Sequence, residues 1–161
     1  MTIPYRKTIE RMENALRQLA LQLEGELQTD NLAKAIYATD GSIYRKWPLA
    51  VARPKHKEDL QKLVSFARQH QIPLIPRTAG TSLAGQCVGE GIVVDTSRYL
   101  NRILELNVEE KWVRVEPGVI RDELNAFLKP YGLFFGPVTA TANRAMIGGM
   151  VGNNSSGTTS I

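Results

Sequence analysis

The sequence predicts an α+β fold of the α/β type, in which parallel strands are joined by a helix. Three observations support this prediction. Residues 49–76 contain an apolar run, an amphipathic helical stretch and a second apolar run, which is the pattern of a βαβ unit. Two glycine-rich loops follow apolar segments, at residues 76–86 and 147–157. Residues 103–131, between these loops, predict a hairpin and a further helix.

The first half of the chain is predicted to alternate between helices and strands. Residues 6–27 carry apolar side chains at spacings of three and four, which predicts an amphipathic helix. We expect this helix to pack on its own domain, and a contact with a missing domain or a partner subunit is the alternative. Residues 31–37 predict a short second helix. Strands are predicted at 49–52 and 72–76, on either side of a helix at 57–69.

The second half is predicted by apolar runs and turn signals. The nearly all β-branched run at 92–95 predicts a buried strand. Residues 103–107 and 112–116 flank a polar turn and predict a hairpin. Residues 119–131 predict a helix with acidic side chains in its first turn, and Gly132 is placed to end it.

The composition is that of an ordinary globular chain. It has 161 residues, 43% of them hydrophobic, which is enough for a substantial core. The formal net charge is +4, but basic and acidic residues are interspersed, so we expect no nucleic-acid partner. The single cysteine, Cys87, fits a reducing compartment. No apolar stretch approaches the roughly 20 residues of a membrane span, and we expect a cytoplasmic protein, with any membrane association peripheral to the inner face.

The first glycine-rich loop, residues 76–86, reads PRTAGTSLAGQ and is called loop 1 below. Glycine permits unusual backbone angles and lacks the Cβ that would keep a phosphate at a distance. The hydroxyl groups of Thr78, Thr81 and Ser82 are able to donate hydrogen bonds to phosphate oxygens. Composition alone is equally consistent with an anion-binding loop and with an ordinary loop between two strands.

The second loop, residues 147–157, reads IGGMVGNNSSG and is called loop 2. Two loops of this kind in one small chain indicate two sides of one phosphate-rich ligand, for which a diphosphate-containing cofactor is the natural candidate. Neither loop is a GxGxxG dinucleotide fingerprint or a Walker A loop. The two commonest nucleotide-binding folds are therefore disfavoured.

These motifs resemble a known family. Loop 1 resembles the PRGGGTS-type loop of FAD-linked oxidases with the PCMH-type (vanillyl-alcohol-oxidase-like) FAD-binding fold. The segment FGPVTATANRAMIGGMVGNNSSG resembles the second pyrophosphate and flavin segment of that family, and DTSRYLNRILELN resembles its DLSRMNRI-type stretch. The similarity begins near Ala38 and is strongest to the branch of the glycolate oxidase flavin subunit and the D-lactate or D-2-hydroxyglutarate dehydrogenases.

The chain departs from the family pattern at two places. Thr78 and Ala79 stand where the commoner loop has two glycines, which we interpret as variation within the branch. No histidine stands near Thr81, where relatives that attach FAD covalently often carry one, so the resemblance implies noncovalent FAD.

The resemblance also implies which residues bind the cofactor. Backbone N–H groups of residues 78–82 are expected to hold the diphosphate, and Asn153 is expected to bond the flavin ring or the ribityl hydroxyls. We assign neither His56 nor His70 to catalysis, place no catalytic acid or base, and expect no metal site. The implied cofactor-binding residues are Arg77, Thr78, Ala79, Gly80, Thr81, Ser82, Gly85, Gln86, Pro137, Thr139, Gly148, Gly149, Asn153 and Gly157.

The resemblance implies a fold of two small α/β subdomains. We expect an N-terminal helical extension at 1–37, a first FAD-binding subdomain at 38–95 and the start of a second, incomplete subdomain at 96–161. The chain resembles an N-terminal fragment of relatives that continue into a separate substrate domain. Unpaired strand edges in such a fragment lead us to expect a homo-oligomer.

The implied function is the FAD-binding portion of a flavin-dependent oxidoreductase. It would oxidise a small 2-hydroxy acid such as D-lactate or glycolate by hydride transfer to flavin. We expect the fragment to be inactive alone, and the resemblance does not identify the electron acceptor. A noncatalytic cofactor-binding or assembly module is the alternative. A cell-wall enolpyruvyl-sugar reductase of the same flavin fold ranks low, because its loops differ from loop 1.

Overall fold

The computed structural model describes the backbone of residues 3–157 and the side chains of residues 9–157. None of the helices in this part of the chain is long and apolar enough to cross a bilayer. In chain order the elements are α1 (Ile3–Gln22), β1 (Glu26–Gln28), α2 (Asn31–Tyr37), β2 (Ala50–Arg53), α3 (Lys57–His70), β3 (Leu74–Arg77), β4 (Ile92–Asp95), β5 (Ile103–Asn107), β6 (Trp112–Val115), α4 (Arg121–Leu128), a 3-10 helix (Lys129–Tyr131) and α5 (Ile147–Gly152).

The main sheet has four strands in the order β1-β2-β4-β3. Strands β2 and β3 both run parallel to β4, which confirms the predicted parallel arrangement. The two strands of the βαβ unit are not neighbours, because β4 is inserted between them. The central position of β4 explains its β-branched composition, since all four of its residues are buried.

The N-terminal helix ends earlier than the sequence predicts. It stops at Gln22, and residues 26–28 form β1, which pairs antiparallel with β2. The prediction of helix to residue 27 is therefore wrong. Gly25 explains the turn, because a Cβ at this position would lie 2.2 Å from the carbonyl oxygen of Arg53. Only glycine allows the chain to approach β2 this closely.

Helices cover both faces of the main sheet. On one face, α1 and α3 pack their apolar stripes against alternate residues of β2 and β4, as expected for a helix that packs on its own domain. On the other face, α2 and Cys87, which directly follows loop 1, cover the intervening residues. This second cluster comprises Ala33, Tyr37, Val51, Ile75, Cys87 and Val93.

The second part of the chain contains the predicted hairpin. Strands β5 and β6 pair antiparallel, and α4 packs on them through Leu124 and Leu128, together with Val119 just before the helix. The predicted helix at 119–131 is shorter than expected at both ends. Ile120 forms a bridge to Met146 in an extended conformation, and the α-helix changes to a 3-10 helix at Lys129.

Two features account for the end of this helix. Pro130 lacks the N–H that a continuing α-helix needs. Gly132 then adopts φ +69°, the left-handed conformation expected at a helix C-terminus, which confirms its predicted capping role.

Candidate functional site

Loops 1 and 2 line one cavity of about 730 Å³, which lies within the range of ligand-binding pockets. Thr96, which directly follows β4, also contributes to its wall. The predicted site residues in this wall are Arg77, Thr78, Gly80, Thr81, Ser82, Gln86, Thr139, Gly148, Gly149 and Asn153. The predicted residues outside it are Ala79, Gly85, Pro137 and Gly157.

Two of the residues outside the wall, Gly85 and Gly157, are glycines that pack closely against other parts of the protein. Gly85 has φ +69°, and a Cβ there would lie 2.7 Å from the ring of Tyr44. A Cβ on Gly157 would lie 2.7 Å from the backbone nitrogen of Val138. Both positions are therefore explained by close packing within the protein.

The backbone of loop 1 presents unpaired donors. Gly80 has φ +68°, and its carbonyl oxygen accepts a hydrogen bond of 3.0 Å from the N–H of Gly41. The N–H groups from Ala79 to Ser82 donate to no acceptor among the residues that the structure describes. Successive unpaired N–H groups around a left-handed residue form a concavity that attracts anions.

The hydroxyl groups of loop 1 have different roles. The Ser82 hydroxyl accepts hydrogen bonds from the N–H groups of Ala84 and Gln86, at 3.1 and 3.4 Å, and donates to Gln86 Oε1 at 2.9 Å. It therefore stabilises the turn of the loop. Within the described part of the chain, the hydroxyl of Thr81 has no hydrogen-bond partner, which leaves it available to a ligand.

The segment that leads into loop 2 is held by α4. The side-chain amide of Asn125 bonds both backbone groups of Phe135, accepting at 2.6 Å and donating at 3.3 Å. Arg121 Nε donates to the carbonyl oxygen of Pro137 at 3.1 Å. These bonds place Thr139, whose Oγ1 is buried in the cavity wall and has no partner among the described residues. A buried hydroxyl without a protein partner is uncommon, and its position in the cavity wall leaves it available to bond a ligand or a water molecule.

The two loops meet where glycine is required. A Cβ on Gly149 would lie 2.5 Å from Thr78 Oγ1, so loop 2 approaches the first threonine of loop 1 closely. Gly148 donates its N–H to the carbonyl oxygen of Pro117 at 2.8 Å, and a Cβ there would lie 2.5 Å from Pro117 Cβ. Thr78, which departs from the family pattern, thus packs against a glycine of the opposite loop.

The cavity wall is nearly free of ionisable groups. Among the described residues that line it, Arg77 is the one with a permanent charge. Its Nη1 donates to the carbonyl oxygen of Thr39 at 2.6 Å, and its guanidinium lies 5.1 Å from the centre of the Tyr37 ring. The wall therefore offers mainly neutral donors, namely backbone N–H groups and hydroxyls, and these donors fit a diphosphate-containing cofactor.

Cys87 lines the same cavity as a packed thiol. It is 8% exposed, and its Sγ donates to Asp40 Oδ2 at 3.4 Å. Burial raises the pKa of the Cys87 thiol to about 11, so it is neutral at physiological pH and a poor nucleophile. Burial also acts to raise the pKa of Asp40, but hydrogen bonds from Ser42 and Cys87 outweigh it and leave that pKa below its usual value.

Several lining residues escaped the sequence analysis. Thr96 directly follows β4, and Pro117 lies two residues beyond the end of β6. The carboxyl ends of strands are a common place for ligands, and this position was the signal that could have found them. The remaining residues were not named individually: six of them lie within loops 1 and 2, and the other four have small or apolar side chains that carry no local signal. These remaining residues are Pro76, Leu83, Ala84, Cys87, Thr141, Ala145, Met146, Met150, Gly152 and Ser155.

Curated relatives cover most of this chain but extend far beyond it. D-2-hydroxyglutarate dehydrogenase of Pseudomonas putida is 46% identical over 83% of this chain and 14% of its own length. Glycolate oxidase subunit GlcD of Bacillus subtilis is 30% identical over 88% of this chain and 31% of its own. Mitochondrial D-lactate dehydrogenase (cytochrome) of Kluyveromyces lactis is 40% identical over 69% of this chain and 20% of its own. The chain thus spans between 14% and 31% of these relatives.

Solved structures share the fold. Alkyldihydroxyacetonephosphate synthase superposes with a TM-score of 0.79 at 21% identity, covering 90% of this chain and 32% of that one. Substrate-bound p-cresol methylhydroxylase superposes with a TM-score of 0.72 at 19% identity, covering 89% and 29%. These matches confirm the predicted PCMH-type mixed α/β fold. A family profile described as an FAD binding domain matches residues 48–161, which is most of the chain. The chain therefore belongs to this family of FAD binding domains.

Proposed function

We propose that this chain is the FAD-binding portion of a flavin-dependent oxidoreductase that acts on a small 2-hydroxy acid. One observation carries the proposal. Two glycine-rich loops line a single cavity that holds unpaired backbone donors in loop 1 and the unpartnered hydroxyl of Thr139. A ligand with oxygen acceptors at two separated points, as in a dinucleotide, would satisfy both groups.

The roles of the lining residues follow from their donors. The N–H groups of residues 78–82 would hold the diphosphate, with the Thr81 hydroxyl adding a bond and Ser82 keeping the loop in shape. Gly148 and Gly149 would allow the backbone of loop 2 to approach the cofactor. Thr139 Oγ1 would bond a polar atom that enters the cavity from that side.

The proposed reaction divides between the cofactor and the protein. FAD, when bound, supplies an acceptor for the hydride that leaves the α-carbon of the substrate. The residues of this chain would bind and orient FAD and would exclude water from the site. The described lining residues include no aspartate, glutamate, histidine or lysine, so their proposed roles are in binding and positioning.

The proposal for the substrate comes from the relatives. The three named above carry D-2-hydroxyglutarate, glycolate and D-lactate in their names, and each of these is a small 2-hydroxy acid. We propose this substrate class for a longer protein of which the present chain is the cofactor-binding part. The electron acceptor is not assigned.

Flavin absorbance tests the proposed function. We expect the purified chain, after incubation with FAD and removal of the excess, to retain bands near about 375 and 450 nm. Acid precipitation should release all of the yellow colour into the supernatant, because we propose noncovalent binding. A protein that remains colourless would contradict the FAD proposal for this chain, and colour in the pellet would contradict noncovalent attachment.

We further propose that the chain associates with itself. The hairpin of β5 and β6 forms a sheet of only two strands, and its exposed residues include Leu104, Val108 and Trp112. Unpaired edges beside exposed apolar side chains favour pairing with another copy. Light scattering after size exclusion should therefore give a mass that rises with protein concentration. A constant monomer mass would contradict this proposal.

A further inference from the structure

The side chain of Arg77 makes three contacts beneath loop 1. Nη1 donates to the carbonyl oxygen of Thr39 at 2.6 Å. The guanidinium lies over the ring of Tyr37, with Cζ 5.1 Å from the ring centre. Gly80 packs against it so closely that a Cβ would lie 2.5 Å from Nη2. The guanidinium is thus a planar support between α2 and the left-handed residue of loop 1.

The ring of Tyr37 is itself held firmly. Tyr37 is 9% exposed, lies at the end of α2 and donates its hydroxyl to the carboxylate of Asp95. Asp95 Oδ1 accepts from the N–H of Ser97 at 2.8 Å and from its hydroxyl at 2.6 Å. Arg53 Nε donates to the Tyr37 hydroxyl at 3.2 Å. Tyr37 does not line the cavity, so its influence on a ligand is indirect, and Arg77 is the lining residue whose guanidinium lies over its ring.

A second connection joins the same two segments. The N–H of Gly41 donates to the carbonyl oxygen of Gly80 at 3.0 Å, two residues from the carbonyl that Arg77 bonds. Residues 39–41 and 77–80 are therefore tied together at both ends. The orientation of the unpaired N–H groups of loop 1 depends on this connection, because these groups belong to Gly80 and its neighbours in sequence.

We propose that Tyr37 and Arg77 form a brace that positions loop 1. Arg77 acts through its planar contacts with Tyr37 and Gly80, and it is a positioning residue instead of a charged ligand of the phosphate. The cofactor-binding role that the sequence implies for Arg77 becomes indirect, and Tyr37 gains a role that the sequence did not indicate. The cofactor part of this inference rests on the proposed function.

The first test measures loop 1 without ligand. Hydrogen exchange by NMR reports the Gly41 N–H, whose acceptor is Gly80. We expect Arg77→Lys and Tyr37→Leu each to speed this exchange by about tenfold relative to the unchanged chain. Tyr37→Phe keeps the aromatic ring, so we expect its Gly41 N–H to exchange as slowly as in the unchanged chain. Unchanged exchange in both Arg77→Lys and Tyr37→Leu would overturn the brace.

The second test separates positioning from charge. Arg77→Lys keeps the positive charge but loses the planar group, whereas Arg77→Gln loses both. A brace predicts that both variants lower FAD affinity by about tenfold or more and to a similar extent. It also predicts that the double variant Arg77→Lys with Tyr37→Leu is no weaker than either single one. If Arg77→Lys binds FAD like the unchanged chain and Arg77→Gln does not, Arg77 is a charged ligand and the proposal fails.

A matched control comes from Arg45, whose guanidinium lies 5.7 Å from the Trp47 ring and which does not line the cavity. Arg45→Lys makes the same chemical change at another cation–π pair and should alter neither readout. The two tests also distinguish the two proposals. If the unchanged chain fails to bind FAD, the proposed function fails for this chain, and the Gly41 exchange still decides whether the brace exists.

Discussion

Replacing Asp59 with alanine should lower the free energy of unfolding by roughly 3 kcal/mol or more. Asp59 is fully buried, and its carboxylate accepts backbone N–H bonds from Glu24, Gly25 and Lys55 at 2.9 to 3.0 Å. These bonds attach the turn before β1 to the start of α3. Removing the carboxylate leaves three donors without their acceptor, and each orphaned buried donor is costly. Urea unfolding monitored by circular dichroism measures the effect.

The adjacent Glu58 provides the control. It also lies in the first turn of α3, but its side chain is 66% exposed. Glu58→Gln should change stability by less than about 0.5 kcal/mol, because exposed charges contribute little. Equal losses for the two variants would mean that the helix dipole, and not the buried bonds, accounts for the role of Asp59.

The pH dependence gives the same prediction a second test. Burial acts to raise the pKa of Asp59, but the three backbone hydrogen bonds outweigh it and leave the folded-state pKa below the ordinary value. A carboxylate with a lowered pKa stabilises the fold above its unfolded pKa, near about 3.9, and loses this contribution as pH falls through the folded pKa. The stability difference between the unchanged chain and Asp59→Asn should therefore be full near neutral pH and shrink in acid. A difference that stays constant into acid would contradict this account.

Gly80→Ala should lower FAD affinity by about 100-fold, the largest effect that we expect of a single methyl group. Gly80 has φ +68°, which costs an L-residue about 1–2 kcal/mol, and the new Cβ would meet Arg77 Nη2 at 2.5 Å. The guanidinium lies at the end of a flexible side chain, so it would move aside and give up its bond to Thr39. The loop that carries the unpaired N–H groups would then lose this support as well as being strained at residue 80. Fluorescence titration with FAD measures the affinity.

Gly132→Ala separates backbone strain from the site. Gly132 has φ +69°, nearly the same as Gly80, but nothing lies within 4 Å of a Cβ there. Both variants should lose a similar 1–2 kcal/mol or so of stability from the left-handed backbone. Only Gly80→Ala should lose FAD affinity. Similar affinity losses in both would show that the effect of Gly80 reflects general destabilisation.

Much of the fold could be predicted because its signals are local. The period of 3.6 in α3, the β-branched run of β4 and the polar turn between β5 and β6 each depend only on neighbouring residues. The position of β1 could not be predicted in this way. Leu27 continues the apolar spacing of α1, and only pairing with β2 decides that residues 26–28 form a strand.

The sequence by itself determined the family, the two glycine-rich loops and their order, because these features lie in residue identity and spacing. Only the tertiary structure decided what each residue does. It brings Gly149 against Thr78 across about 70 residues of chain, buries Thr139 Oγ1 without a partner, and directs Arg77 to Thr39 and Tyr37. The physical reason is that a hydrogen-bond donor belongs to a site through the direction in which it points. That direction is set by packing between segments that are distant in sequence.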